Sequence, residues 1–405
     1  MTERLRVLFV DDELKILQAL RRMLRGMRHE WDMAFVESGE AALALLEDAP
    51  YNVIVSDMRM PRMSGSVLLE IVRERYPEMV RIILSGHADK AMILKAVTPV
   101  HQFLSKPCSS DTLVNTVTRA YQIRRLIHSP EVRRVVSKVS TLPSLPDLYR
   151  QIMEELGEAE PSMHRIATII DQDIGMSAKI LQLVNSAFFG LPRHVATPFE
   201  AVNLLGIETI RALALSLQIF TEFEGLEDEA VLSRLWAHSM AVGQAGKWLA
   251  VKMGADRFTV DHAYQSGLLH DVGKLILMAN FPEKYRLVLR RAARGEQQLD
   301  SVETDILGVS HAKVGAYLLG IWGLPDPIIE AVAYHHMPLA QGLDPGICVI
   351  STHLGHYLSC IGENGAAELC NAGVSQALIE QPFIEGRWAD WKKGWIQKLR
   401  EGGKK

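Results

Sequence analysis

The feature that most constrains the fold of this chain is a regular alternation of short apolar runs and helix-length segments over its first third. Five runs rich in β-branched and aromatic residues have the length of strands, and apolar residues spaced three or four apart follow each one. The runs cover residues 6–10, 32–36, 53–56, 81–84 and 102–104. Five such pairs predict an α/β domain of the flavodoxin-like kind, with a five-stranded parallel sheet.

The 405-residue chain is too long for one ordinary core, so we expect further domains. From residue 142 to residue 361 the pattern is persistently helical and predicts an all-α domain. Residues 123–141 are a charged helical stretch interrupted by Pro130, which we interpret as a linker helix. Its apolar stripe could form a homodimer seam or pack on its own domain. Residues 362–405 are expected to be a partly disordered extension.

Composition excludes several classes of function. The net charge of -4 gives no electrostatic footprint for nucleic acid. The four cysteines, which form no C-x-x-C pair, predict neither a zinc ribbon nor a disulfide framework. The sequence shows neither a signal-peptide pattern at its start nor an apolar run of about 20 residues that could span a membrane. We therefore expect a cytoplasmic protein that binds neither nucleic acid nor membrane.

Acidic residues follow two of the predicted strands. Asp11 and Asp12 come after the first run, and Asp57 comes after the third. Because ligands of an open parallel sheet bind at the carboxyl ends of its strands, these acids should share one pocket. Packing carboxylates together is costly unless a hard cation neutralises them, which predicts a Mg²⁺ site. One carboxylate could then accept a phosphoryl group as an aspartyl phosphate.

Three further residues follow or lie in the last two predicted strands. Lys106 can pair with the added charge, and Ser85 can donate a hydrogen bond to the phosphoryl oxygens. The ring of Phe103 could change position with the state of the pocket. The Lys106-Pro107 bond could be cis, although most bonds before proline are trans.

The segments VLFVDDE, VSDMRMPRMSG, ILSGHAD and FLSKP together resemble the receiver domain of two-component response regulators over residues 1–122. The resemblance implies that Asp57 is the phosphoacceptor and that a sensor histidine kinase or phosphotransfer protein is the partner. It also implies Mg²⁺ held by Asp12, Asp57 and the Arg59 carbonyl, with Asp11 acting through water. Ser64 stands where the family more often has Asp, but that position shapes a loop and is not a metal ligand.

The second domain holds a set of histidines around one His-Asp pair, which together suggest a metal site. The set is His238, His270, Asp271, His311, His335, His336, His353 and His356. Adjacent side chains on a helix diverge by about 100 degrees, so His270 and Asp271 can both reach a shared metal. The alternative is that these histidines are ordinary core residues.

Several segments of the second domain resemble the HDOD family, the HD-related output domain. They include LPSLPDLYRQI, FEAVNLLGIETIRALAL, HDVGKL and GVSHAKVGAYLLGIWGLP. The resemblance implies a signalling module that has lost hydrolase activity and acts through an unknown protein partner. HHMPLAQG lacks the Gly-Tyr-Pro signature of related cyclic di-GMP hydrolases. Where HD enzymes have a late Asp ligand, VISTHLGHYLS offers His353 and His356, one of which could replace it.

Two hypotheses follow. The first is a response regulator in which phosphorylation of Asp57 switches the interaction surface of a non-catalytic HDOD domain. The second is a phosphorylation-controlled phosphohydrolase acting on a nucleotide or cyclic dinucleotide, with Fe, Mn or Zn at the histidine cluster. The missing signature and the missing carboxylate favour the first, and enzymatic activity is left open. A transcription factor is set aside because no basic recognition helix follows the receiver.

Overall fold

We describe the chain from a computed structural model. The structure describes residues 4–85, 100–123, 129–137, 139, 142–144, 146–158, 160–185, 195–211, 221–222, 229–294, 297–339, 345–362 and 374–402.

The N-terminal domain is built on a five-stranded parallel sheet. Its strands are β1 (Leu5–Val10), β2 (Trp31–Val36), β3 (Val53–Asp57), β4 (Val80–Ser85) and β5 (Gln102–Ser105), in the spatial order β2-β1-β3-β4-β5. Each predicted strand matches an observed one to within a residue at either end. The helices described around the sheet are α1 (Leu14–Met23), α2 (Gly39–Asp48), α3 (Gly65–Arg75) and α4 (Ser110–Ile123), with a short 3-10 helix at Arg25–His29. The predicted fold class is confirmed.

The sheet is buried on both faces because helices cover both. Val7 and Phe9 of β1 point into one hydrophobic cluster, whereas Leu8 and Val10 point into the other. This alternation is the two-residue period of a strand, and burial of both faces explains why the strands are continuously apolar.

The second domain is helical, as predicted, apart from a short parallel pair of two-residue strands. The pair is β6 (Pro143–Ser144) with β7 (Thr221–Glu222). The helices are α5 (Pro130–Val136), α6 (Pro146–Gly157), α7 (Met163–Asp171), α8 (Ile174–Asn185), α9 (Pro198–Leu205), α10 (Ile207–Arg211), α11 (Glu229–Lys252), α12 (Arg257–Leu269), α13 (Val272–Asn280), α14 (Pro282–Ala292), α15 (Leu299–Leu307), α16 (His311–Ile321), α17 (Asp326–Tyr334), α18 (Ile347–Gly362), α19 (Gln376–Ile379) and α20 (Trp388–Gly402).

Glycines allow the central helices of this domain to approach closely. A Cβ added at Gly267 would lie 2.7 Å from the backbone of Gly243, which brings α12 against α11. A Cβ added at Gly273 would lie 2.0 Å from the carbonyl oxygen of His311, so α13 and α16 also touch through their backbones. These contacts draw together the helices that carry the histidines.

In the described residues, the linker contains a helix that begins at Pro130. Helix α4 ends at Ile123, and α5 begins at Pro130, whose missing N–H is tolerated in the first helical turn. The Oγ of Ser129 accepts a hydrogen bond from the Val132 N–H and caps α5. Val132 and Val136 are buried in a cluster of the helical domain of the same chain, so this part of the stripe packs internally. Dimerisation stays a prediction.

The C-terminal extension, expected to be loose, contains the helices α19 and α20. Trp391 and Trp395 of α20 are buried beside Ala245 and Leu249 of α11. Large aromatic rings bury enough apolar surface to hold a terminal helix on a domain. The end of the tail, 403–405, lies outside the described residues.

Two further expectations concern the cysteines and the membrane. Cys108 and Cys348 are free thiols, but Cys360 is disulfide-bonded, which corrects the expectation that the cysteines form no disulfide. Sequence spacing alone does not show which cysteines approach each other in a folded chain. Within the described residues, the helices are all too short or too polar to cross a membrane.

Candidate functional sites

The first candidate site lies at the carboxyl ends of β1 and β3. Val10 pairs with Ser56 in the sheet, which places Asp11 beside Asp57. Both carboxylates are buried, and the Nζ of Lys106 donates to Asp11 Oδ2 at 2.6 Å and also to Asp57 Oδ1. Two of the three predicted acids, Asp11 and Asp57, therefore meet Lys106 in one pocket.

Burial and charge oppose each other in this pocket. Burial raises the pKa of Asp57, and the ammonium group of Lys106 counteracts that shift. Burial alone would lower the pKa of Lys106, but its hydrogen bonds to Asp11 and Asp57 outweigh burial and raise it. Lys106 therefore stays charged at neutral pH and offsets part of the negative charge of the two acids.

The backbone holds Asp57 in place. Asp57 Oδ2 accepts a hydrogen bond from the Arg59 N–H at 2.6 Å. A Cβ at Gly65 would lie 1.9 Å from the Asp57 carbonyl oxygen, so only glycine lets α3 begin this close to the acceptor. Asp12 is exposed next to the pocket. The roles of Asp12 and of the Arg59 carbonyl as Mg²⁺ ligands stay predictions.

Ser85 and Phe103 occupy the neighbouring strands. Ser85 ends β4 fully buried, and its carbonyl oxygen accepts a hydrogen bond from the Lys106 N–H at 2.7 Å. Phe103 of β5 is buried in a cluster that also contains Ile180 and Leu183 of α8. The Lys106-Pro107 bond is cis. The phosphate-binding role of Ser85 and the switching role of Phe103 stay predictions.

The second candidate site collects side chains from six helices or helix ends. His238 lies on α11, His270 and Asp271 lie between α12 and α13, His311 begins α16, His335 and His336 follow α17, and His353 and His356 lie on α18. All of them are buried except His336, which is half-buried. Residues far apart in sequence thus form one cluster inside the domain.

The ligand atoms form two groups of imidazoles that meet at one carboxylate. In the first group (His238, His270, His356) and in the second (His311, His335, His336), potential ligand atoms lie within 4.8 Å of one another. Asp271 lies between them: its Oδ2 is 3.3 Å from His270 Nε2, and its Oδ1 is 3.2 Å from His311 Nε2.

Hydrogen bonds at the outer nitrogens orient the rings. The Nδ1 atoms of His270 and His335 lie 2.7 Å and 2.8 Å from the carbonyl oxygens of Gly267 and Val332, and must donate to them. The proton is then on Nδ1, and Nε2 of each ring faces the cluster. Metal-binding histidines are typically held in this way.

Burial keeps most of these rings neutral. It lowers the pKa of His238 to about 3 and holds the pKa values of His335, His336 and His356 well below the ordinary value. A neutral imidazole is the form that binds a metal ion.

A second carboxylate, Glu303, raises the pKa of His311, unlike those of the other histidines described above. Burial alone would lower the pKa of His311, but the charge of Glu303 raises it to about 9. Glu303 Oε2 lies 2.6 Å from His311 Nδ1, and Asp271 Oδ1 lies on the other side of the ring. Burial would raise the pKa of Asp271, yet the surrounding basic groups hold it well below its usual range. The two carboxylates, Glu303 and Asp271, thus favour the protonated form of His311.

Several inward-facing atoms fit a cation. Among the described residues, His270 Nε2, Asp271 Oδ1 and His356 Nε2 are buried without a hydrogen-bond partner. Leaving such groups unpaired costs free energy, and all three are electron-pair donors aimed into the cluster. The donor set of imidazoles with one carboxylate suits Fe, Mn or Zn.

The two histidines of α18 are not equivalent. His353 Nδ1 lies 2.6 Å from the His335 carbonyl oxygen, and its Nε2 accepts from the Ser375 N–H at 3.1 Å, so both nitrogens are used. The ring of His356 instead packs 4.9 Å from that of His238 and 5.1 Å from that of His270. His356 therefore faces the cluster, whereas His353 is bonded to the backbone, and replacement of the missing ligand by one of them stays a prediction.

Sequence reasoning missed two members of the site. Glu303 of α15 also accepts hydrogen bonds from the His311 N–H at 2.7 Å and from the Tyr285 hydroxyl at 2.8 Å. Lys274 donates to Asp271 Oδ2 at 2.7 Å. Lys274 could have been found, because it lies three residues after Asp271 in HDVGKL and shares its helical face. The sequence around Glu303 gives no comparable signal.

Comparison with known families identifies two domains. The model of the response regulator receiver domain matches residues 7–118, and the model of the HDOD domain matches residues 142–338. The chain contains a response regulator receiver domain followed by an HDOD domain.

Individual relatives are distant or match only part of the chain. An uncharacterized protein of Treponema pallidum is 28% identical over 205 residues, which cover 50% of this chain and 39% of that protein. The hydrogenase transcriptional regulatory protein HoxA of Cupriavidus necator is 36% identical over 160 residues, which cover 39% of this chain and 32% of that protein. The crystal structure of the MmoQ response regulator of Methylococcus capsulatus matches 62% of this chain and 98% of its own, with 22% identity and a TM-score of 0.48. The chain thus spans only about a third to two fifths of these curated relatives.

The receiver and the HDOD domain share a buried polar contact through the linker. Arg81 of β4 donates to the Ser137 carbonyl oxygen at 2.7 Å, and His101 Nε2 lies 3.1 Å from the same oxygen. The Ser137 hydroxyl lies 2.8 Å from the Tyr317 hydroxyl of α16. Burial lowers the pKa of Arg81 to about 9, which leaves it charged at neutral pH. The linker is therefore fixed to both domains.

Two helices of the HDOD domain reach from the receiver to the histidine cluster. The C-terminal carbonyl of α16 at Ile321 accepts from Gln102 Nε2 of β5 at 3.0 Å. Asp326 at the N-terminus of α17 pairs with Arg119 of α4 at 2.6 Å. The opposite end of α16 carries His311, and α17 leads directly into His335.

Proposed function

We propose that phosphorylation of Asp57 changes the packing of the receiver on the HDOD domain and thereby switches the output of that domain. A carboxylate oxygen of Asp57 attacks the phosphorus of a phosphohistidine on a sensor kinase or phosphotransfer protein, and the histidine leaves. Mg²⁺ held by Asp12, Asp57 and the Arg59 carbonyl, with Asp11 acting through water, would offset the charge. The support is the convergence of Asp11, Asp57 and Lys106 in one buried pocket.

The phosphoryl group would redistribute the contacts of Lys106. It adds a charge of about -1.5 to -2 and three acceptor oxygens beside the ammonium group. The Lys106 N–H and the Ser85 carbonyl join the ends of β4 and β5, so a shift of Lys106 reaches both strands. Gln102 of β5 is hydrogen-bonded to the HDOD domain at Ile321, and a shift of β5 therefore acts on the interface.

One observation carries this proposal. Helix α16 is hydrogen-bonded to the receiver at one end and α17 forms an ion pair with it, and the opposite ends of both helices position histidines of the cluster. A helix of nine to eleven residues is about 14 to 17 Å long and transmits displacement along its axis. Displacement at β5 or α4 should therefore move His311 or His335 relative to Asp271.

We further propose that the HDOD cluster holds a divalent transition metal, Fe, Mn or Zn. The candidate ligands form two groups. His238, His270 and His356 would bind on one side of Asp271, and His311, His335 and His336 would bind on the other. A bound metal would supply positive charge and a Lewis acid at the cluster. The chain contributes rings fixed by backbone carbonyls, and Glu303 positions His311.

Hydrogen exchange of the full chain before and after treatment with acetyl phosphate and Mg²⁺ tests the switch. We expect altered protection in α16 and α17 of the wild type and no alteration in Asp57→Asn. Identical exchange in the treated and untreated wild type, with phosphorylation verified by intact mass, contradicts the proposed switch.

The second candidate function is a phosphohydrolase. It is favoured by the two imidazole groups that share Asp271, because paired metal ions bridged by a carboxylate can activate water and hold a phosphate ester. Metal analysis followed by turnover assays on cyclic dinucleotides and simple phosphodiesters, with Mn²⁺, Fe²⁺ or Mg²⁺, tests it. Turnover that disappears in Asp271→Asn supports an enzyme, and no turnover with any metal supports a non-catalytic output domain.

A further inference from the structure

A groove on the receiver has a strongly basic wall. It lies between α1, the following 3-10 helix and the edge strand β2, and has a volume of about 660 Å³. Its lining includes five exposed arginines: Arg4, Arg21, Arg22, Arg25 and Arg28. Apolar side chains of β2, namely Trp31, Met33 and Phe35, line it as well.

The arginines have no acidic partners. Within the described part of the chain, none of the five forms an ion pair, and the acid in the lining, Asp32, is 3.2 Å from Arg6. Residues 14–29 contain five basic residues, Lys15 and four of the arginines, but no Asp or Glu. This concentration occurs in a chain whose net charge is -4, so it is a local feature. Like charges at such spacing repel each other unless an anion lies between them.

One guanidinium is already fixed in position. Arg21 lies over the ring of Phe35 at 4.8 Å, and the other face of that ring stacks on Phe9 at 5.0 Å. A guanidinium held on an aromatic ring loses less freedom when it binds a ligand.

The groove and the acidic pocket are lined by different residues. Arg4, at one end of the groove, directly precedes β1, whereas Asp11 directly follows it. The groove also runs along β2 as far as Phe35, which pairs with Phe9, two residues before Asp11. Asp57 ends β3, which β1 separates from β2, and it does not line the groove.

We propose that this groove binds a small anion with two or more linked phosphate groups, recognised through its phosphates. Guanidinium groups form paired hydrogen bonds to phosphate oxygens, and the volume of the groove is in the range of small-ligand pockets.

Two other kinds of ligand fit the groove less well. A single-stranded nucleic acid needs free rings for base stacking, but Phe35 is covered on both faces and Trp31 is only 3% exposed. A membrane surface needs exposed apolar side chains, and among the described residues the groove contains no large exposed one.

Calorimetric titration of the full chain with inorganic pyrophosphate and with ATP tests the proposal. Both should bind with affinities within a few-fold of each other, because the phosphates and not the base are recognised. Arg21→Gln combined with Arg25→Gln should weaken both by about tenfold or more, since charge-assisted hydrogen bonds are lost. Arg257→Gln, which changes an arginine that is 93% exposed on α12, is the matched control and should bind normally.

Other outcomes overturn the proposal. These are no binding of either probe, equal binding by the double variant, or loss of binding in Asp57→Asn, which would place the probe in the acidic pocket. Competition by poly(dT), or by vesicles containing phosphatidylserine, at lower concentration than pyrophosphate would identify a macromolecular anion instead. Circular dichroism of the double variant verifies that it is folded, which is expected because both changed side chains are exposed.

Discussion

His353 and His356 lie three residues apart on α18 and have different tasks. Both nitrogens of His353 are hydrogen-bonded to the backbone, whereas His356 Nε2 has no hydrogen-bond partner among the described residues and belongs to the group with His238 and His270. At the scale of single residues, the hydrogen bonds that a histidine already makes therefore indicate better than its residue type whether it can bind a metal.

Replacing each of these histidines separates binding from stability. We expect His356→Ala to lower the metal bound per chain, because a ligand is lost. His353→Ala should keep the metal but lower the free energy of unfolding by about 1 to 3 kcal/mol, since the Ser375 N–H and the His335 carbonyl lose their partner. Elemental analysis and urea unfolding measure the two effects. The reverse pattern would contradict the assignment.

Lys179 provides a prediction about pH. It is buried in α8, 5.2 Å from the ring centroid of Trp322, and burial lowers its pKa to about 7. In the unfolded chain a lysine keeps its proton up to about pH 10.4. Between these values the unfolded state binds more protons, so this residue makes stability rise with pH in that window, by up to about 1.4 kcal/mol per pH unit.

Lys179→Met should remove that rise and stabilise the chain most at the lower end of the window. Urea unfolding at pH 7, 8 and 9 measures the slope of stability against pH. Lys313→Met, which changes an exposed lysine of α16, should leave the slope unchanged. If both variants retain the slope of the wild type, another group is responsible.

At the scale of elements, the ends of the helices determine how the two domains are joined. A glycine, Gly320 of α16, allows α4 of the receiver to pack closely, since a Cβ there would lie 2.4 Å from the side chain of Ile123. Polar bonds then fix the ends of α16 and α17 to β5 and α4. Such elements can carry a displacement because a packed helix shifts as one unit.

Arg119→Ala should weaken this transmission. It removes the ion pair with Asp326 and the hydrogen bond to the Leu324 carbonyl, and so frees the start of α17 from the receiver. We expect the phosphorylation-dependent change in hydrogen exchange of α17 to fall by at least half, while Asp57 is still phosphorylated. Arg150→Ala, which removes an exposed pair with Glu154 in α6, is the control. An unchanged exchange response in Arg119→Ala would exclude this route.

At the scale of the whole molecule, the two sites must influence each other equally if they are coupled. If receiver activation changes the affinity of the HDOD domain for metal by some factor, bound metal changes the affinity of the receiver for its activating ligand by the same factor. We expect the affinity for beryllium fluoride, a phosphoryl mimic, to differ by at least fivefold between metal-loaded and metal-stripped chain. Arg119→Ala should reduce that difference. Equal affinities in the two forms of the wild type would show that the domains act independently.

The sequence by itself determined the secondary-structure elements and the chemically reactive side chains at their ends. Alternating apolar runs located all five strands, and the acids after β1 and β3 were placed at one edge because parallel strands share their carboxyl ends. The histidine set was also found, since HDVGKL and the later histidines are unusual side chains for apolar helices. These inferences depend on periodicity and local spacing, which a single sequence contains.

Only the tertiary structure decided which of these residues act together. The bonds of His353 to Ser375, of Glu303 to His311 and of Gln102 to Ile321 all join residues distant in sequence. The groove lined by Arg4, Arg21 and Arg25 arises because β2 folds back beside α1. No local pattern encodes such pairings, because they are set by how whole helices and strands pack and by which buried polar atoms that packing leaves to be satisfied.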